Sequence, residues 1–443
     1  MQTTTQMSRI TQLPEDHLRA FVGQASDAEL VAYWGPNAAA IRKMAREQVA
    51  ARRQGDSMII LLPGLMGSTL EDIGDDPQLL WINPLAYMRG QANRLDLAPD
   101  GVTDALPGVK VRARGLVWLV YAKMLLRLQR DYEVYTFPYD WRRATWDVVP
   151  QLRAFIDQKI AASPFKQVTL VGHSLGGLLA IDYLIGQQTR AHAERHLKRV
   201  IALGTPFRGA LPAVSILARG DEPKLRLIKA LNPQNDPLRM LRTFPSLYEI
   251  LPAPKGLYPD WDPVPEQDIW DASTWEHQGV TIHRDHLARA LKHHEALSKA
   301  DPQVPIEIVA GALYETPTGL DGDLLRGIIR KMWEGLAGGD GTVPIASARF
   351  GDRPAYYVHE VHVELVLENS VIDGVADWVE GGQPDRLEQR VEDVIRVDGP
   401  LREAMLVVPE SVAETVSADR IAQKVMADEP LNHEELKALQ TLI

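Results

Sequence analysis

The chain is 443 residues long, 45% apolar, carries a formal net charge of −11 and contains no cysteine. Its length is enough for one large α/β core with a cap, or for two domains. The missing thiols exclude disulfides, thiolate catalysis and cysteine-ligated metals and suit a reducing cytoplasm, while the acidic balance disfavours nucleic acid, whose phosphates it would repel.

From the amino terminus, residues 1–55 read as a helical arm, with the helical pattern Asp27 to Trp34 and a basic stretch at Arg42-Lys43-Met44-Ala45-Arg46. No basic segment followed by an apolar leader opens the chain, and no run is long enough to span a bilayer, so the expectation is a soluble, cytoplasmic protein. The hydrolase-like core is expected over 56–380. Its first strand, Met58-Ile59-Ile60-Leu61-Leu62, runs straight into Pro63-Gly64-Leu65-Met66-Gly67-Ser68, a loop suited to presenting the Met66 amide as an oxyanion donor. A second strand-like run at 132–137 leads into Asp140-Trp141-Arg142. An acid beside an arginine and a tryptophan makes a hydrogen-bonded, stacked corner more readily than a reacting group, so these three are expected to brace the site.

A third run, Gln167 to Val171, enters Gly172-His173-Ser174-Leu175-Gly176 and then a helical pattern. Strand, G-x-S-x-G and helix in that order describe a nucleophile elbow, with Ser174 at its tip and the Leu175 amide as the second oxyanion donor. After a further strand at 199–203 the alternation stops. Residues from about 210 to 305 are helical and rich in Trp and Pro, and there Lys224, Arg226, Lys229, Arg239 and Arg242 interleave with Leu225, Ile228, Leu231, Leu238, Met240 and Leu241. That pattern fits a cap packed on the sheet with a charged rim; the competing reading is a basic amphipathic lid for a membrane surface. His293-His294 reads as a solvated helix pair. Strand-like runs return at 306–310 and 355–358.

A serine needs a base, and the base an orienting acid. The turn Gly338-Gly339-Asp340-Gly341-Thr342-Val343-Pro344 supplies Asp340, and His359 or His362 supplies the imidazole. Strand alternation turns His359 sideways, whereas His362 falls in the loop before the helical pattern Ser370 to Val379 and is preferred. The order Ser, Asp, His is that of the α/β-hydrolases. Residues 381–443 read as a helical carboxyl-terminal arm with Asn432 as an N-cap. No Gly-rich phosphate loop or metal-spaced cluster is present, so no cofactor and no metal are implied.

Several segments in order resemble the lecithin:cholesterol acyltransferase family of α/β-hydrolases: Pro63 to Ser68, Tyr139-Asp140-Trp141-Arg142, Gly172 to Gly177, Gly204-Thr205-Pro206-Phe207-Arg208-Gly209, Phe244-Pro245-Ser246-Leu247-Tyr248 with Leu251-Pro252, Gly339 to Pro344, and His362 with Leu365 and Val371. The resemblance implies a mostly parallel sheet with helices on both faces and a cap after the sixth strand. It implies Ser174, Asp340 and His362 as the triad, the amides of Met66 and Leu175 as the oxyanion hole, and a lipid or acyl-ester substrate that loses its acyl group to water or to another alcohol. The alternatives are amide hydrolysis by the same triad, an effector acting on membrane lipid under a partner's control, and a non-catalytic hydrolase fold that binds a protein partner through its terminal arms.

Overall fold

Five consecutive apolar side chains leave no polar face for water, and Met58–Leu62 accordingly forms a strand, β1, buried at every position. The computed structural model describes residues 9–47, 49, 55–220, 223–332, 338–397, 418–427 and 429–440. The strands that follow are β2 (Ser68–Asp72), β3 (Gln78–Trp81), β4 (Val111–Leu116), β5 (Val134–Thr136), β6 (Val168–His173), β7 (Leu197–Leu203), β8 (Ile306–Gly311), β9 (Thr316–Asp321), β10 (Ile328–Met332) and β11 (Ala355–Val358).

The six runs expected as strands make one sheet in the order β11-β8-β7-β6-β1-β5, parallel at every pairing. Leu62 stands opposite Gly172, and His173 opposite Leu203, so the carboxyl ends of the central strands finish level. Parallel neighbours require crossovers, which the helices Thr145–Ala162 and Leu175–Ile185 supply on either side of β6. Since β6, like β1, is buried at all positions, helices cover both faces of the sheet. This is the α/β-hydrolase fold, and it puts the predicted elbow at the end of an interior strand.

Two smaller sheets are additions to the sequence reading. One is antiparallel in the order β3-β2-β4, the other is the hairpin β9-β10. Neither shows an apolar alternation. Strand β2 carries Glu71, which is paired across the ladder with Arg112 and Arg114 at 2.7 Å each, and β9 contains Pro317 and Gly319, residues that argue against a strand.

The insertion after β7 is a packed helical cap. Leu225, Ile228, Leu231, Met240 and Leu241 are buried, while Arg226 and Arg239 are exposed. Arg239 reaches Asp96, and Arg242 donates to the carbonyls of Leu217 and Ala218 at 2.8 and 3.2 Å, closing the helix Leu211–Arg219. The side chain of Lys224 lies outside the described residues.

The expectation for His293-His294 is corrected: both are fully buried on the helix Arg284–Ser298. His293 Nε2 donates to Asp182 on the elbow helix at 2.9 Å, and Asp182 accepts the Thr145 hydroxyl, while the Thr145 amide donates to Glu249 of the cap at 2.9 Å. Local patterning could not disclose the partner, because Asp182 is 111 residues away in the chain. Burial opposes the charge on His293, but Asp182 and Glu249 overcome it and hold the imidazole at about 9; burial raises Glu249 to about 7. Both folded-state groups therefore keep protons that an unfolded chain releases nearer 6.5 and 4.5. Stability from His293 is complete below pH 6.5 and is lost as pH rises through 9, and the Glu249 contribution falls in the same direction between pH 4.5 and 7. Urea unfolding should show a loss on the order of 3 kcal/mol between pH 6 and pH 9.5. Asp182→Asn should flatten that slope; an equal slope in the variant would refute the pair as its source.

At the amino end, Glu15 accepts from Thr136 on edge strand β5, Trp118 Nε1 donates to Leu13 O at 2.7 Å, and Trp34 Nε1 donates to Trp118 O at 3.1 Å. At the carboxyl end, Asn432 caps the helix His433–Gln440 reciprocally with Glu435, at 2.9 Å in both directions. His433 Nδ1 donates to Tyr33 O at 3.1 Å, which ties this helix to Asp27–Trp34.

Candidate active site

Ser174 follows the last residue of β6 and precedes the helix Leu175–Ile185, with φ +53° and ψ −122°. A residue with a Cβ occupies that region only when its surroundings enforce it. Here the Ser174 amide donates to Leu203 O at 2.8 Å, and the helix start is pressed onto β1 so closely that a Cβ at Gly176 would stand 2.3 Å from Leu62 O. The strain aims Ser174 off the end of the sheet, and the N–H groups of the first helical turn point back at it.

The loop after β1 passes directly over this elbow. A Cβ at Gly64 would lie 2.9 Å from Ser174 Cβ. Within the loop the Gly64 amide donates to Tyr121 Oη at 2.8 Å and the Gly67 amide to Gly64 O at 3.0 Å. Leu65 and Met66 are left with amides that have no acceptor among the described residues, as is Leu175. Met66 has φ +61°, and its carbonyl is fixed by Trp81 Nε1 at 2.9 Å. The loop thus offers the predicted Met66 amide together with that of its neighbour Leu65.

Asp340 sits at the end of β8, where a Cβ at Gly311 would be 2.5 Å from its own Cβ. Its Oδ1 accepts the amides of Thr342 and Val343 at 2.9 and 2.6 Å, which frees Oδ2 to accept from His362 Nδ1 at 2.7 Å. His362 opens the 3-10 turn His362–Val366 just beyond β11, and its amide donates to Asp340 O at 2.9 Å. With Nδ1 as donor, Nε2 of the neutral ring is the basic nitrogen. His359 packs its ring against Tyr314, centroids 4.9 Å apart. The predicted serine, acid and histidine therefore converge at one edge, exposed by 8%, 2% and 3%. Ser174 and the imidazole make no direct hydrogen bond among the described residues, a looseness frequent before substrate binding.

The Asp140 corner touches the loop after β1 and its root. Tyr139 Oη donates to Pro63 O at 2.8 Å and Trp141 Nε1 to Ser68 O at 2.9 Å. Arg142, fully buried, grips Asp140 through two bonds of 2.8 and 2.7 Å and also reaches Asp104 and Leu95 O at 2.9 and 2.8 Å.

Sequence reasoning missed two groups at this edge, His173 and Tyr121. His173 Nε2 donates to the carbonyl of His362 at 3.0 Å, and Tyr121 Oη is 3.0 Å from His173 Nδ1. Burial first, then the neighbouring His362, push His173 down to about 3, so it is neutral. Its place beside the serine was visible, but Tyr121 lies 52 residues away and only the fold unites them.

Residues 101–289 match the family lecithin:cholesterol acyltransferase, a stretch that contains Ser174 and the Asp140 corner and ends before Asp340 and His362. The chain is 25% identical over 219 residues to "Lysosomal phospholipase A and acyltransferase" of Canis lupus familiaris, covering 39% of this chain and 53% of that one. It is 32% identical over 240 residues to "Phosphatidylcholine-sterol acyltransferase" of Mus musculus, covering 44% and 53%. The chain spans about half the length of the curated relatives it matches. Among solved structures, a chain from the crystal structure of the Tle4-Tli4 complex superposes with a TM-score of 0.44 at 14% identity, over 72% of this chain and 97% of that one.

Proposed function

We propose that this chain, whose residues 101–289 match the lecithin:cholesterol acyltransferase family, cleaves or transfers the acyl group of a lipid ester through an acyl-serine. Ser174 is the nucleophile, His362 the general base and acid, and Asp340 the group that orients the imidazole. His362 Nε2 takes the hydroxyl proton as Ser174 Oγ bonds to the ester carbonyl, whose oxygen gains the negative charge. The amides of Leu175 and Met66, with Leu65 beside it, receive that oxyanion, each donor being worth about 10²- to 10³-fold in turnover. Collapse breaks the bond to the alcohol, which leaves with the proton returned by His362. Water or a second alcohol then attacks the acyl-enzyme, His362 taking its proton; collapse breaks the Ser174 Oγ–acyl bond, releases fatty acid or the new ester, and His362 returns the proton to Oγ.

The observation that carries this reading is the 2.7 Å contact of His362 Nδ1 with Asp340 Oδ2 at the same edge as a serine held at positive φ. Asp140, Trp141 and Arg142 serve as the brace of the oxyanion loop. The names of the relatives favour a glycerophospholipid as acyl donor. A fluorophosphonate probe should label Ser174, as read by peptide mass. Phosphatidylcholine vesicles should release fatty acid, and an added long-chain alcohol should divert part of it into a new ester. Folded protein that neither takes the probe nor releases acyl chains would overturn the proposal.

A further inference from the structure

Beside the nucleophile runs a hydrogen-bonded chain that the steps above do not use. The Gly64 amide donates to Tyr121 Oη at 2.8 Å, Tyr121 Oη lies 3.0 Å from His173 Nδ1, and His173 Nε2 lies 3.0 Å from the His362 carbonyl. A carbonyl only accepts, so the His173 proton is on Nε2. In a neutral ring Nδ1 is then the acceptor, and Tyr121 must donate to it. Tyr121 and His173 are both buried, at 4% and 6% exposure, and the chain continues through the His362 amide to Asp340 O at 2.9 Å. The segments that meet at the site follow β1, β6, β10 and β11 in the chain, so their spacing depends on links of this kind rather than on chain connectivity.

We propose that Tyr121 and His173 are positioning residues that hold the oxyanion loop at a fixed distance from the His362 imidazole, an inference that rests on the reading of Ser174, His362 and Asp340 as the triad. The direction of the chain also matters for charge. The rings of His173 and His362 are 5.0 Å apart between centroids, and a cation on His173 would oppose the imidazolium that forms on His362 as Ser174 attacks. Tyr121, by donating to Nδ1, keeps that nitrogen unprotonated. Loss of its hydroxyl leaves the Gly64 amide and His173 Nδ1 unpaired and frees the oxyanion loop to shift.

Selective ¹⁵N-histidine NMR on the full wild-type chain tests the tautomer without reference to activity. His173 should carry its proton on Nε2 and should not titrate between pH 5 and 9; a proton on Nδ1 or titration in that range overturns the proposal. Tyr121→Phe keeps the ring that packs edge-on to His173 and removes the hydroxyl. Its kcat on a short-chain ester should fall by about 10²-fold, the cost of a misplacement near 1 Å, with KM little changed and phosphonylation of Ser174 slowed in parallel. His173→Phe should behave likewise. Wild-type kcat in both folded variants sinks the positioning role while leaving the triad standing. A wild-type chain that neither labels at Ser174 nor turns over ester sinks the triad reading, and this inference with it.

Discussion

Ser174→Ala will lower turnover of a chromogenic acyl ester by about 10⁴-fold or more and abolish fluorophosphonate labelling, while the variant unfolds cooperatively like the parent. The expectation follows from the elbow: removing Oγ deletes the atom that bonds to the substrate and leaves the oxyanion amides and the imidazole in place, so what remains measures those groups alone. His362→Ala should lose a comparable factor, because Ser174 is then left without a base, and Asp340→Asn should cost about 10⁴-fold by leaving Nδ1 without its acceptor carboxylate. His359→Ala should stay close to wild type, since that ring packs on Tyr314 whereas His362 donates to Asp340 at 2.7 Å. Loss of activity in His359→Ala with retention in His362→Ala would reverse the assignment of the base, and wild-type turnover in Ser174→Ala would end the acyl-serine mechanism.

The sheet was legible because its central strands are short, mostly apolar runs, and a strand buried on both faces leaves little other trace. Met58–Leu62 is wholly apolar, and Val168–His173 is buried at every position with Thr169 and His173 as its polar residues. The elbow was legible for a steric reason, since Gly172 and Gly176 are required wherever a helix start is packed onto strand ends. What stayed hidden depends on partners distant in the chain. The β2-β3-β4 sheet is held in part by Glu71 facing Arg112 and Arg114, 41 and 43 residues away in the chain. His293 and His294 read as surface because their helix looks polar, yet both are buried and Asp182 supplies a counter-charge to His293. The Tyr121–His173 link is invisible for the same reason: hydrogen-bond direction is set by which groups meet, and periodicity does not report it.

Arg142→Met will cost folding more than chemistry, by about 3–5 kcal/mol in denaturant unfolding. The guanidinium is completely buried and serves Asp140, Asp104 and Leu95 O at once, so its removal takes the main counter-charge from two carboxylates whose side chains are 8% and 10% exposed, leaving Asp140 only Arg143 at 3.2 Å. Burial opposes the charge on Asp140, but Arg142 and then Arg143 hold its carboxyl below the ordinary 3.8. Its contribution is therefore present above about pH 4 and is lost as pH falls through the folded value. Without Arg142 that burial is opposed chiefly by Arg143, at 3.2 Å, and the carboxyl rises, so the variant's deficit against wild type should shrink between pH 7 and pH 4. The double variant Asp140→Asn/Arg142→Met should recover part of the loss, because the costly species is the unpaired charge rather than the missing bond. Residual turnover per folded molecule should fall modestly, through the oxyanion loop that Tyr139 and Trp141 hold at Pro63 and Ser68. A deficit below about 1 kcal/mol, or a double variant no better than the single one, would remove Arg142 from the role of brace.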